Sequence, residues 1–524
     1  MSFGMSVGGQ ASGGTRDQAI RPFATLPYPM SGPGTRLPRV TIDPDNPNNP
    51  AAPEAVRRSR VLVLSMAAVV LFLKLWVAAT TFGTNDVRYW ESFAAGVRKV
   101  GPINIYALHW RYGGSPGSRP PVLAAPYNHP PLIGWMLVVM NHLVWHGLAF
   151  PFLIRVPASV ADVVTTLLIF EMLRARRSLR EATAAALLVA FSPVLFIISG
   201  FHGNTDPVFV MFTLLSAHLL INRPWPARPW VSSALAGVAF AVAVSVKLVP
   251  IVVLPTLLLL AARLGRRQLA SFVAGSGAAM LPLWGPVVLR QWQPFRADVL
   301  GYAGIGVRQW GPVEFAHVLH APATAITFIA GPGRFLVLLL SALLPALLLY
   351  WRRNAALPAI GLSLALFLLL SPAFATQYLA WPLAAAYLIE LRAATAYNLA
   401  TGALLAEVYN RWNGGLPWDV ATATPLLPRE VAALAVVWAL LLLVVIVGLC
   451  RIAGPAGAER PPLVQQPAES AERARNLPRQ KERPLRFSTA ALPRSPVAAL
   501  AYLPGRTYRG ACQISEAASA ARAS

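Results

Sequence analysis

The chain has 524 residues, of which 56% are hydrophobic and only 13% charged. A soluble protein of this size would carry about 25% charged residues, so a soluble globular fold is excluded and lipid must solvate most of the surface. The net charge of +24 suggests nucleic acid, but the basic residues fall in short clusters between apolar runs, at 57–60, 174–180, 263–267 and 351–353. That is the pattern of cytoplasmic loops, and it argues against a nucleic-acid partner.

Residues 1–58 are rich in Gly, Pro and Asn and are predicted to form a disordered cytoplasmic segment. No short apolar core with a small-residue cleavage site precedes the first long apolar run, which is therefore expected to be an uncleaved anchor. That first span covers about 61–81 and delivers FGTNDVRYWESF (82–93) to the outer face. Two apolar runs, 131–148 and 156–173, then precede the basic cluster at 174–180. If both crossed, that cluster would lie outside. The run 131–148 carries Asn141, His142 and His146 and is predicted to be re-entrant or interfacial.

The remaining spans then alternate without conflict. They are 156–173, 182–199, 207–221, a tight pair joined through SVKLVP (245–250), 268–289, 334–350, 356–372, 377–391, 394–410 and 431–450. The expected fold is all-α, a polytopic transmembrane helical bundle of about twelve crossings. Its transmembrane domain is 59–450, with a large first extracytoplasmic loop containing interfacial helices and a long outer loop at about 290–332. Residues 451–524 are predicted to be a basic, Pro/Ala-rich disordered cytoplasmic tail. Cys450 and Cys512 form neither a disulfide framework nor a zinc spacing.

Polar chemistry gathers on the outer side. Asp86 follows the first span with Tyr89, Trp90 and Glu91 behind it; it is either a general base at the bilayer surface or, with Asn85, a helix N-cap. PYNHPPLIGW (126–135) places Tyr127 and His129 before a double proline, which shapes a pocket or simply opens a helix. SGFHGNTDPVF (199–209) packs His202, Asn204 and Asp206 into one turn. Lys247 sits in an apolar outer leaflet, where an ammonium needs a partner or must snorkel. Arg296, Arg308 and Trp310 belong to an outer stretch that interleaves Arg with Trp and Gln, suited to phosphate and sugar contacts or to interfacial anchoring. Gln377 and Tyr378 begin a later span at the same face.

Taken in order, these motifs resemble the GT-C superfamily of membrane glycosyltransferases that use polyprenyl-phosphate sugars. The likeness covers roughly 60–390 and is carried by GTNDVRYW, YNHPPL, Arg155 to Ala158 (RVPA), FHGNTD, VKLVP and RQWQPFR. It is similar in particular to the glucosyl- and mannosyltransferases of lipid-linked glycan assembly. The turn HGNTD departs from the HFQYN-like form of the eukaryotic enzymes, and the last two spans and the tail have no counterpart among these motifs.

The resemblance implies an inverting transfer of a hexose, mannose or glucose, from a polyprenyl monophosphate to a glycolipid or glycan hydroxyl. It assigns Asp86 as base and Lys247, Arg308, Arg296 and His202 to the donor phosphate. It places Trp90, Tyr89, Tyr127, His129, Asn204, Asp206, Trp310, Gln377 and Tyr378 around the substrate. No cofactor and no metal are expected, because outer-face nucleotide sugars are scarce and the loops carry no clear acidic metal motif. The lack of organelle signals suggests a bacterial inner membrane. The alternative reading is a transporter, flippase or polymerase of lipid-linked glycans.

Overall fold

A computed structural model describes residues 52–108, 126–302 and 309–453. Most of the predicted N-terminal segment, nearly all of the tail, Cys512 and Arg308 lie outside the described residues.

Helix α1 (Ala52–Thr80) is followed by α2 (Asn85–Asn104), α3 (Pro131–Trp145), the short α4 (Phe150–Leu153) and α5 (Val156–Arg174). Next come α6 (Leu179–Ala190), α7 (Pro193–Leu195) with a π-helical turn at Phe196–His202, α8 (Asp206–Asn222) and α9 (Pro229–Val246). A 3-10 turn at Val249–Val253 leads into α10 (Leu254–Leu264), then α11 (Arg266–Phe295), α12 (Gly311–Val318), α13 (Ala323–Ala330) and α14 (Gly333–Trp351). The chain closes with α15 (Ala356–Leu370), a 3-10 turn at Thr376–Ala380, α16 (Leu383–Ile389), α17 (Leu391–Trp412) and α18 (Pro428–Ala453). Among the described residues, seven helical segments are long and apolar enough to cross a membrane. Large apolar side chains such as Phe72, Trp76, Leu281 and Leu336 stand exposed on their outer faces, as lipid solvation requires and water would not tolerate. The protein is a polytopic helical membrane bundle.

Hydrogen bonds mark the two ends of the bundle. At one end Arg60 and Arg174 pair with Glu171, and Asn222 donates to the Glu171 carbonyl. Arg177 donates to the carbonyls of Leu388 and Ile389, Arg451 to Ile389, Arg263 to Leu349 and Arg352 to Ala453. These arginines satisfy the carbonyls that helix C-termini leave free, with the charge sign that the helix dipole favours. At the other end Arg155 ties the end of α1 to the π-helical turn, and Lys247 ties α9 to α8. Followed through these contacts, the chain passes between the ends in the alternation read from the sequence.

Helix α3 does not pass. It starts beside His129, whose carbonyl accepts from Tyr106 at 2.8 Å, and the chain returns through α4 to Arg155 at the same end. Asn141 donates to the Ala94 carbonyl of α2 at 2.8 Å. The predicted non-crossing run is thus a helix bound to the first loop.

The span predicted at 182–199 is present as the apolar segment Leu179–His202; it kinks at Ser192 and Pro193 and ends in a π-helical turn, because proline removes a ladder donor and Ser192 recaps the chain. Two expectations need correction. The span predicted at 377–391 is a 3-10 turn and a seven-residue helix. Every residue from Phe374 to Ile389 is buried, so it passes through protein rather than lipid. Among its described residues, the outer loop predicted at 290–332 is largely helical: α11 runs to Phe295, a π-helical turn to Leu300, and α12 and α13 follow.

Candidate active site

The site forms where α1 ends and α2 begins. Thr84, not Asn85 or Asp86, caps α2: its hydroxyl accepts from the Asp86 backbone N–H at 3.2 Å and donates to the His202 carbonyl at 2.8 Å. One threonine thereby holds two strands of the site together and leaves the Asp86 side chain without a capping duty. The carboxylate instead meets His202, with Oδ2 2.9 Å from Nε2. Gln377 approaches the same oxygen at 3.5 Å. The Asp86 side chain remains about a third exposed while His202 is almost fully buried.

His202 is held from behind. Its Nδ1 is hydrogen-bonded to the Tyr409 hydroxyl, which lies 3.0 Å from the Thr376 hydroxyl. The π-helical turn that carries His202 ends at Gly203, whose φ is +84°; a Cβ there would lie 2.7 Å from Val87. Gly83, with φ +95°, sits so close to Phe201 that a Cβ would meet its carbonyl oxygen at 2.4 Å. Only glycine allows these two turns to touch.

Arg155 is the anchor beneath them. It is fully buried and donates to the carbonyls of Pro151, Thr81, Phe82 and Gly200 and to the Thr81 hydroxyl. A buried guanidinium without a carboxylate is tolerable only because its donors are so widely used. From outside, the segment after α17 straps the first loop: the Ala421 N–H donates to the Gly83 carbonyl at 2.9 Å, and the Ala421 carbonyl accepts from the Asn85 N–H at 3.0 Å. A buried Glu430 and Arg411 pin that strap, at 2.7 Å.

The neighbouring cation is Lys247. Its ammonium donates to Asp206 Oδ1 at 2.6 Å and lies 4.8 Å from the ring centres of both Tyr378 and Trp381. Trp381 Nε1 donates to the other Asp206 oxygen at 2.6 Å, and Asn204 caps the Asp206 backbone at 3.1 Å. An ammonium against two aromatic faces is stabilised by their quadrupoles. An apolar groove of about 280 Å³ runs between α3, α8 and α9. Its lining includes Leu132, Ile133, Trp135 and Met136, and reaches Thr205 and Val246, the chain neighbours of Asp206 and Lys247.

His129 stacks on Trp90 at 4.4 Å and meets Phe93 and Tyr127 edge-on. Burial among these rings, with Lys247 nearby, pushes its imidazole down to about 3 against the pull of Asp86. Burial pushes the Asp86 carboxyl up, but His202, Lys247 and His129 outweigh it and hold the group below its ordinary value of 3.8.

The structure therefore gathers Asp86, His202, His129, Lys247, Asp206, Asn204, Gln377 and Tyr378. Trp90 is a buried platform for His129, and Tyr89 is half-buried beside it on α2. Tyr127 is buried between Phe93 and Tyr106. Trp310 is stacked on Phe374 and donates to the Leu368 carbonyl at 2.8 Å, which makes it part of the core. Arg296 is exposed and has no side-chain partner among the described residues. Sequence reasoning did not single out Thr84, Thr376, Trp381 or Tyr409. Tyr409 lies 207 residues from His202, and nothing local marks it.

Residues 128–288 match the family model of dolichyl-phosphate-mannose-protein mannosyltransferases. That stretch holds His202, Asp206 and Lys247 but not Asp86. No curated protein matches the chain. Among solved structures, the chain is 16% identical to ArnT from Cupriavidus metallidurans bound to undecaprenyl phosphate, with a TM-score of 0.43 over 75% of this chain and 77% of that one. It is 14% identical to the archaeal oligosaccharyltransferase AglB from Archaeoglobus fulgidus, in complex with an inhibitory peptide and a dolichol-phosphate, with a TM-score of 0.36 over 78% of this chain and 57% of that one.

Proposed function

We propose that this chain is a GT-C membrane glycosyltransferase, an inverting enzyme that moves a hexose, mannose or glucose, from a polyprenyl monophosphate to a hydroxyl of a glycolipid or glycan. The observation that carries the reading is that consecutive residues join a carboxylate freed from capping to an ammonium: Gln377 lies 3.5 Å from Asp86 Oδ2 and the Tyr378 ring 4.8 Å from Lys247, whose chain neighbour Val246 lines an apolar groove. Those are the groups a base, a phosphate and an isoprenoid chain require. A flippase would need no carboxylate paired with an imidazole.

In this reaction Asp86 takes the proton of the acceptor hydroxyl as its oxygen bonds to the anomeric carbon. The bond from that carbon to the phosphate oxygen breaks on the opposite face, and its electron pair leaves with the polyprenyl phosphate. A single displacement inverts the centre, and no second carboxylate is needed as nucleophile. Lys247 stabilises the departing phosphate, and His202 is committed to Asp86. Gln377 and Tyr378 border the space between base and phosphate, where the sugar would sit.

Replacing Lys247 with Ala should weaken donor binding about 10-fold or more, the worth of a charge-assisted hydrogen bond. Titration with a labelled polyprenyl-phosphate sugar in detergent micelles measures this directly. Unchanged donor affinity would remove Lys247 from the phosphate site.

We propose the extracytoplasmic face of a bacterial inner membrane as the place of the reaction; the arginine-rich end, read by the positive-inside rule, supports that orientation. In a chain with Cys450 and Cys512 replaced, Trp418→Cys should react with an impermeant maleimide from outside. Arg180→Cys should react only after the membrane is opened. Both side chains are exposed, so labelling of position 180 from outside would reverse the orientation.

A further inference from the structure

The chain of side chains behind Asp86 has a direction. A neutral imidazole carries one N–H, and an ionised carboxylate has none to give, so the 2.9 Å contact between His202 Nε2 and Asp86 Oδ2 requires the proton on Nε2. Nδ1 is then a lone pair, and the buried Tyr409 hydroxyl beside it is its donor. The Tyr409 oxygen in turn accepts from the Thr376 hydroxyl, 3.0 Å away. Each hydrogen in the series Thr376, Tyr409, His202, Asp86 is used once, and all point toward the carboxylate. Bonds aligned head to tail polarise one another.

We propose that Tyr409 is a positioning residue that fixes His202 in the Nε2–H tautomer. Asp86 is thereby held through Oδ2, and Oδ1 is the oxygen that receives the acceptor proton. This rests on the glycosyl-transfer reading for its consequence, but not for the tautomer itself. The tertiary fold makes the arrangement: α17 supplies Tyr409, the 3-10 turn after α15 supplies Thr376, the π-helical turn supplies His202, and α2 supplies Asp86. The charged and titratable groups facing Asp86 are His202, Lys247 and His129, together with the phenols of Tyr302, Tyr378 and Tyr409.

Two measurements on the full-length chain in nanodiscs test it. Nitrogen-15 spectra of histidine-labelled protein at mildly alkaline pH, with the His202 signal assigned by its loss in His202→Gln, should show a protonated Nε2 and an unprotonated Nδ1. A protonated Nδ1 in the wild type overturns the proposal whether or not any variant folds. Tyr409→Phe should lose the single-tautomer pattern and lower kcat about 10-fold with little change in donor KM, since the imidazole that holds Asp86 is no longer fixed from behind. The acid limb of its pH–rate profile should move to higher pH.

The double variant His202→Gln/Tyr409→Phe should be no slower than His202→Gln alone, because Tyr409 acts only through the imidazole. Losses that multiply would place Tyr409 in a separate, structural role and sink the idea. If the wild-type chain transfers no sugar at all, the proposed function fails, while the nitrogen-15 pattern still decides the tautomer.

Discussion

Asp86→Asn is expected to lower sugar transfer by about 10²–10⁴-fold, the range that a positioned general base supplies. The chain should express, insert and bind donor as before. Asn keeps the shape of Asp86, the α2 cap belongs to Thr84, and Lys247 has its own partner in Asp206. The assay is transfer from a labelled polyprenyl-phosphate sugar in proteoliposomes, with donor binding followed separately. Retained turnover would exclude Asp86 as the base.

The pH dependence separates Asp86 from its neighbour Glu91. A base must be ionised, so activity is lost as pH falls through its pKa. Burial raises the Asp86 carboxyl, but the surrounding imidazoles and ammonium hold it below 3.8, so turnover at an Asp86 base persists through the usual carboxylate range. Burial raises Glu91 above 4.5 despite Arg88, so a reaction that used Glu91 would fail at higher pH. The depressed Asp86 also contributes stability that is present above its unfolded pKa and lost as pH falls through the folded one.

The second large effect concerns the interior of the bundle. Lys74 on α1 and Asp162 on α5 form an ion pair at 2.5 Å, with side chains only 2% and 7% exposed, and Ser199 donates to the same Asp162 oxygen. Lys74→Met should cost about 3–5 kcal/mol, because it leaves a buried carboxylate unpaired. The yield of folded protein and its thermal midpoint in detergent should both fall sharply. Lys74→Met/Asp162→Leu should recover most of the loss, since an apolar pair of similar volume needs no desolvation. Equal damage in the single and double variants would mean that the pair has a role beyond mutual neutralisation. Ser199 lies in the π-helical turn three residues before His202, so the same ion pair also steadies the floor of the site.

Much of this was legible because membrane folding is constrained by elementary rules. Apolar length gives the spans, arginine clusters give the ends, and polar residues inside 131–148 mark the run that does not cross. The site was legible in part for a similar reason: Asp86, His202, Asp206 and Lys247 are polar groups at the boundary of lipid, where each needs a justification. Lys74 and Asp162 carry the same signal, two opposite charges inside the apolar runs 61–81 and 156–173.

The remaining parts could not be read from local pattern. Whether Asp86 capped its helix turned on one hydroxyl two positions earlier, and Asn85, Asp86 and Thr84 are all good capping residue types. Tyr127 and Trp310 look like sugar platforms in sequence, yet the fold stacks them into the core. The sequence alone determined a polytopic helical bundle, its alternation and the end that holds the polar chemistry, because the cost of burying charge and unpaired backbone in lipid acts on each segment separately. Only the tertiary structure decided that His202 faces Asp86, that Lys247 is shared with Asp206 and Trp381, and that Tyr409 of α17 completes the set. Those contacts join segments up to 207 residues apart, and hydrogen-bond partnership depends on packing between helices, which no periodicity within one of them records.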